Sequence, residues 1–148
     1  MNKKFAVAAA LSALMAAPLV NAEEKHPSRV YRESYFHLLG LHFQPLRMMV
    51  QRQIPWDADR AAVLGRDLKA VSQIDILSQF PEGSEGGEAK LEIWDDFDDF
   101  SERMNTMRTE AAKMAEATAS GDQDAVGKQL GALGKSCKSC HDVYREEE

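Results

Sequence analysis

The stretch "DAVGKQLGALGKSCKSCHDVYREEE", Asp124 to Glu148, carries the only two cysteines of a 148-residue chain. Val126, Leu130, Leu133, Cys137, Cys140 and Tyr144 recur at steps of four, three, four, three and four. That spacing draws a single stripe along an α-helix. Cys137, Cys140 and His141 occupy positions i, i+3 and i+4, so both thiols and the imidazole share one face. A helix with so continuous an apolar stripe must bury it against other elements, and the rest of the chain shows what those elements are.

Three more segments have the same period. The first, about Ser28 to Gln53, opens with Ser28 as a candidate N-cap. It sets Phe36, Leu39, Phe43, Leu46 and Val50 on a stripe, with Pro45 expected to bend it. The second, from the cap candidate Asp57 to about Ser78, repeats Leu64, Leu68, Val71 and Ile74. "FPEGSEGGEAK", residues 80–90, then breaks the pattern with a proline and three glycines. A third helix is expected over Leu91 to Ala119, with Trp94, Phe97, Met104, Met107, Ala111, Met114 and Thr118 aligned. Four helices with short connections and no strand signal predict an all-α, antiparallel four-helix bundle.

The amino terminus, "MNKKFAVAAALSALMAAPLVNAEE", reads as an export signal: Lys3 and Lys4, an apolar run to Val20, then small residues before Glu23. Residues 1–22 are therefore expected to be removed, leaving one domain over 23–148. The apolar run falls short of the roughly 20 residues that span a bilayer, so a soluble exported protein is expected, periplasmic in a bacterial cell. The formal charge of −6 becomes more negative once the two leader lysines are lost. Such a surface argues against nucleic acid and membranes as partners.

In an oxidising compartment two thiols would ordinarily pair, but a bridge closing so small a loop contributes little stability. CxxCH is the attachment sequence of c-type haem: the thiols form two thioether bonds and the adjacent imidazole reaches the iron. One haem c per chain is expected, bound through Cys137 and Cys140 with His141 as metal ligand. Structural zinc is the main competitor and requires four closed ligands, of which His26, His37 and His42 are distant candidates. A bare dithiol is a further alternative.

The signal sequence, the four helical segments and the carboxyl-terminal CxxCH together resemble the class II c-type cytochromes, the cytochrome c′ family in particular. "YRESYFHLLGLHFQPLRMMV" is similar to that family's first helix, "IPWDA" to the start of its second, "EIWDDF" to its third and "GALGKSCKSCHDVYR" to its haem helix. The resemblance implies that a first-helix side chain about four residues after "YR" stands over the open face of the iron. Here that residue is Phe36, which cannot coordinate; as a core aromatic it also fits its stripe. A methionine at that point implies a low-spin electron carrier, an apolar residue a five-coordinate iron.

The resemblance also gives roles to Arg32, as a haem-propionate contact, to Arg145, on the proximal side beside His141, and to Trp94, at the haem edge. The ordinary alternatives are a salt bridge from Arg32 to Glu33 or Glu85, a cation at a helix C-terminus for Arg145, and a core tryptophan. His37 turns off the core stripe. Met48 and Met49 lie more than a turn beyond Phe36, and Met104, Met107 and Met114 read as core filler.

The run "DDFDDF", residues 95–100, suggests either a dock for a basic partner or carboxylates favoured at a helix start. Tyr35, Leu38, Leu41, Met48 and Met49 extend the apolar surface of the first segment around a second face, which implies a homodimer through that helix. The function expected is binding of NO and CO for scavenging or storage, without enzymatic acid–base machinery. The alternative is an electron-transfer cytochrome serving an unidentified periplasmic redox partner.

Overall fold

The structure, a computed structural model, describes residues 26–146; the expected signal segment lies outside them. Helices α1 (Pro27–Val50), α2 (Ala58–Ser72), α4 (Phe97–Ala119) and α5 (Gln123–Tyr144) form the bundle. Between α2 and α4 come a 3-10 turn at Leu77–Gln79 and the one-turn α3 (Glu92–Asp95). Among the described residues no helix is long and apolar enough to cross a membrane.

Neighbouring helices run antiparallel. Arg108 of α4 donates from Nε to Ser72 O near the end of α2, while Gly65 of α2 faces Thr118 near the end of α4. Gln129 Nε2 donates to Glu110 Oε2 at 2.7 Å, and nearer the other end of α5 Tyr144 meets Asp99. The core is filled by Leu46, Met49, Leu68, Met104, Met107, Met114, Val126 and Leu133, all fully or nearly fully buried. Each contributes roughly 1.5–3 kcal/mol relative to an exposed side chain. The three α4 methionines are therefore core residues, as their stripe implies.

Capping fixes where the helices start. Asp57 Oδ1 accepts from Arg60 N at 2.9 Å, and Asp122 Oδ1 accepts from Asp124 N and Ala125 N. α1 differs from expectation. Pro27 takes its first turn, so the cap moves back to His26, whose Nδ1 accepts from Ser28 N at 3.2 Å. The helix then runs through Pro45 to Val50. α2 stops at Ser72 rather than near Ser78, which leaves Ile74 exposed and Ile76 fully buried.

The third segment is broken rather than continuous. Asp96 leaves helical geometry at φ −134, ψ 65, and its carboxylate accepts from Asp99 N as the cap of α4. The break shifts the stripe: Ile93 and Phe100 are buried, whereas Trp94 is half-buried and Phe97 is exposed. On α1, Tyr35 and Met49 belong to the core and not to a second outer face, while Phe36 is 36% exposed.

Candidate haem-attachment site

Cys137 and Cys140 are both free thiols on the inner side of α5, the first half-buried and the second buried. Burial pushes both thiol pKa values up, that of Cys140 to about 11, so they are protonated at neutral pH. His141 follows directly. Partial desolvation and the nearby Arg145 cation lower its pKa, against the opposing pull of Glu88 and Asp142. A neutral imidazole is the form that binds a metal. Two unbonded thiols one helical turn apart with an adjacent neutral imidazole are the donor set that c-type haem requires, and these residues fit it. Among the described residues no group of three or more His, Cys, Asp or Glu side chains is gathered as a site for a free metal ion, whereas structural zinc takes four such ligands.

The register between α1 and α5 determines what faces this set. A Cβ at Gly127 would stand 3.4 Å from Val50 Cγ1, and one at Gly134 would stand 3.7 Å from Phe43 Cζ. Each step moves seven residues back along α1 and seven forward along α5, two helical turns in an antiparallel pair. Continued by another seven residues in each helix, the same register leads to Phe36 on α1 and His141 on α5, both of them exposed. Glycine lets the helices approach at the first two levels. Phe36 also packs edge-on against Tyr35, with ring centroids 5.1 Å apart. His37 is exposed, and His42 Nδ1 lies 2.8 Å from Leu38 O of its own helix.

Arg32 is buried, with only 4% of its surface exposed. Its Nη1 donates to Gln79 O at 2.8 Å and to Ser84 Oγ at 2.9 Å, and Nη2 donates to Ser84 O at 2.7 Å. The guanidinium lies 4.7 Å from the Phe80 ring centroid and 5.7 Å from that of Trp94. Arg32 therefore clamps the 79–84 loop to α1, a use that neither expected reading anticipated. Trp94 completes the clamp: its Nε1 donates to Phe80 O and Pro81 O at 3.1 and 3.2 Å.

Arg145 lies just past the last turn of α5 in extended geometry and forms an antiparallel bridge with Ala89. Its Nε pairs with Glu88 Oε2 at 2.7 Å. Lys90 N donates to Tyr144 O and Glu146 N to Glu88 O, so the loop and the end of α5 are stitched together. Sequence reasoning missed a further group. Tyr144 OH donates to Asp99 Oδ2 at 2.6 Å, and Arg103 donates from Nε to the same oxygen and from Nη1 to Ser139 O. The Asp99 to Arg103 spacing of four was the available signal, since it is that of a helical ion pair.

A four-helix bundle presenting CxxCH on its last helix defines a class, the bundle-type c cytochromes, and comparison with known proteins agrees. Residues 29–145 match the family described as Cytochrome C'. A cytochrome c' of Halomonas halodenitrificans is 37% identical over 125 residues, covering 79% of this chain and 94% of that protein. A solved nitric oxide complex of a mutant cytochrome c prime from Alcaligenes xylosoxidans superposes with TM-score 0.76 at 33% identity, covering 82% of this chain and 94% of that one. The structure of cytochrome c' from Rhodobacter Spheriodes gives TM-score 0.77 at 29% identity, with 82% and 96% covered. The chain belongs to the cytochrome c′ family, whose members are c-type haem proteins.

Proposed function

We propose that the protein is a periplasmic haem protein that binds small diatomic gases, NO and CO foremost. Cys137 and Cys140 hold one haem covalently, and His141 is its protein ligand. When bound, the haem supplies an iron with a vacant coordination position for the gas. The observation that supports this reading is the α1–α5 register at Val50/Gly127 and Phe43/Gly134, which, continued by seven residues in each helix, leads to Phe36, rather than a methionine or histidine, at the level of His141. A phenyl ring donates no lone pair to iron and no hydrogen bond to a polar O₂ complex, whereas NO and CO depend less on such help. The nitric oxide complex solved for the Alcaligenes xylosoxidans mutant lends support by likeness.

Arg145 holds positive charge near the His141 imidazole, and Arg32 and Trp94 fix the 79–84 loop. A homodimer belongs to the same reading. Tyr31, Leu38 and Leu41 are exposed along the outside of α1 at steps of seven and three, a seam suited to a second copy. Optical and EPR spectra of the holoprotein test the function. High-spin, five-coordinate ferric and ferrous states with NO and CO adducts are expected, and a low-spin ferrous state at neutral pH overturns it.

A further inference from the structure

The gas-binding reading gives no redox role to a chain of aromatic rings that ends on α5. Tyr144 packs edge-on against Phe100 at 5.3 Å between centroids and Phe100 edge-on against Phe80 at 4.8 Å, while Phe80 lies tilted against Trp94 at 5.9 Å. One end is buried and lies one helical turn from Cys140; the other is half-buried on α3. The tyrosines are not equivalent. Tyr31 is exposed, and Tyr35 is buried with its hydroxyl 3.4 Å from Ser72 O, a carbonyl that cannot accept a proton. Tyr144 alone has a carboxylate at 2.6 Å, within the range for proton transfer. Arg103 holds that carboxylate in place and lies 5.8 Å from the Tyr144 ring centroid.

We propose that Tyr144 and Asp99 form a proton-coupled redox pair, with Phe100, Phe80 and Trp94 as its electron path to the surface. In the step, Tyr144 loses one electron to the oxidant while its O–H bond breaks and the proton passes to Asp99. The products are a neutral tyrosyl radical, a protonated Asp99 and the reduced oxidant. The oxidant is a one-electron acceptor of the nitrogen dioxide class, which leaves as nitrite; the in vitro counterpart is a photogenerated ruthenium(III) polypyridyl complex. A pre-positioned base removes the cost of leaving a charged phenol radical in a buried site. The pair rests on side chains of α4 and α5 alone, so it stands or falls separately from the gas-binding reading.

The test oxidises the holoprotein with photogenerated tris(bipyridine)ruthenium(III), freezes it and records EPR spectra with ring-deuterated and ordinary tyrosine. A tyrosyl signal that narrows on deuteration is expected, lost in Tyr144→Phe and kept in Tyr35→Phe. Asp99→Asn keeps the shape of the acceptor but not its basicity, and should cut the rate of radical formation about a hundredfold, the low end for a positioned proton acceptor. Trp94→Phe should slow formation without removing the signal. A radical that persists in Tyr144→Phe overturns the proposal, as does an unchanged rate in Asp99→Asn. If Tyr144→Phe does not fold, Asp99→Asn decides alone.

Discussion

Thr118 Oγ1 occupies the space where a side chain on Gly65 would begin. A Cβ built there would lie 2.9 Å from Thr118 Cβ and closer still to the hydroxyl oxygen, which donates to Met114 O and Ala115 O. α2 and α4 therefore touch backbone to side chain at this level, and the contact is rigid because Thr118 is buried. Gly65→Ala should destabilise the protein by about 2 kcal/mol, overpacking outweighing the gain in helix propensity. Thermal unfolding of the single variant and of Gly65→Ala/Thr118→Ala measures it; the double variant should recover part of the loss.

Arg32 makes a second prediction. Its removal strands Gln79 O and Ser84 O, leaves Ser84 Oγ with only its bond to Pro81 O, and opens space over Phe80. Arg32→Ala should cost about 3 kcal/mol, the range for orphaning buried hydrogen-bonding groups. Arg32→Lys should recover little, because a single ammonium cannot reproduce the fork. Limited proteolysis between residues 80 and 90 should accelerate in both.

The pH dependence follows from Asp99. Hydrogen bonds from Arg103, then from Tyr144, hold its carboxyl below the ordinary value of 3.8. A carboxyl more acidic in the folded than in the unfolded chain adds stability above the unfolded pKa, and that contribution is lost as the pH falls through the folded pKa. Wild type should therefore be more stable than Asp99→Asn at pH 7, and the two unfolding curves should begin to converge as the pH falls below the ordinary 3.8 and meet only below the lower folded pKa.

In the proposed function Phe36 is the residue that governs access to the open face. Phe36→Ala should speed NO and CO association to the ferrous holoprotein without abolishing binding, measured by stopped-flow absorption. Phe36→Met introduces a thioether and should shift the ferrous spectrum towards low spin.

Self-association supplies the fifth prediction. Leu38 and Leu41 are 39% and 55% exposed on the outer side of α1. Replacing either by Lys should move a sedimenting dimer towards monomer while leaving the haem spectrum intact, since neither side chain belongs to the core.

Much of this arrangement was legible beforehand. The α5 stripe and the CxxCH spacing were readable because a helix translates sequence separation into angle with little error. The α3–α4 break was not. "WDDFDD" continues a helical pattern as well as it caps a new one, and only the φ, ψ excursion at Asp96 moves burial from Trp94 and Phe97 to Ile93 and Phe100. Tyr35 and Met49 were misassigned to the outside because α1 is apolar over a wide arc, so periodicity alone left its inward direction loose. The Arg32 clamp depends on loop carbonyls, which carry no side-chain signature. Arg145 leaves the helix to pair with Ala89, a contact that no local pattern encodes.

The protonated thiols of Cys137 and Cys140 have a consequence for timing. A cysteine reacts as its thiolate, and folding withdraws both sulfurs into surroundings that suppress that form. The nascent, unpacked chain is consequently the more reactive substrate for covalent maturation. Once α5 has docked, the same burial slows air oxidation of any chain that missed its cofactor. The bundle thus separates a reactive youth from an inert adulthood without a dedicated protective group, simply by where it puts two sulfur atoms.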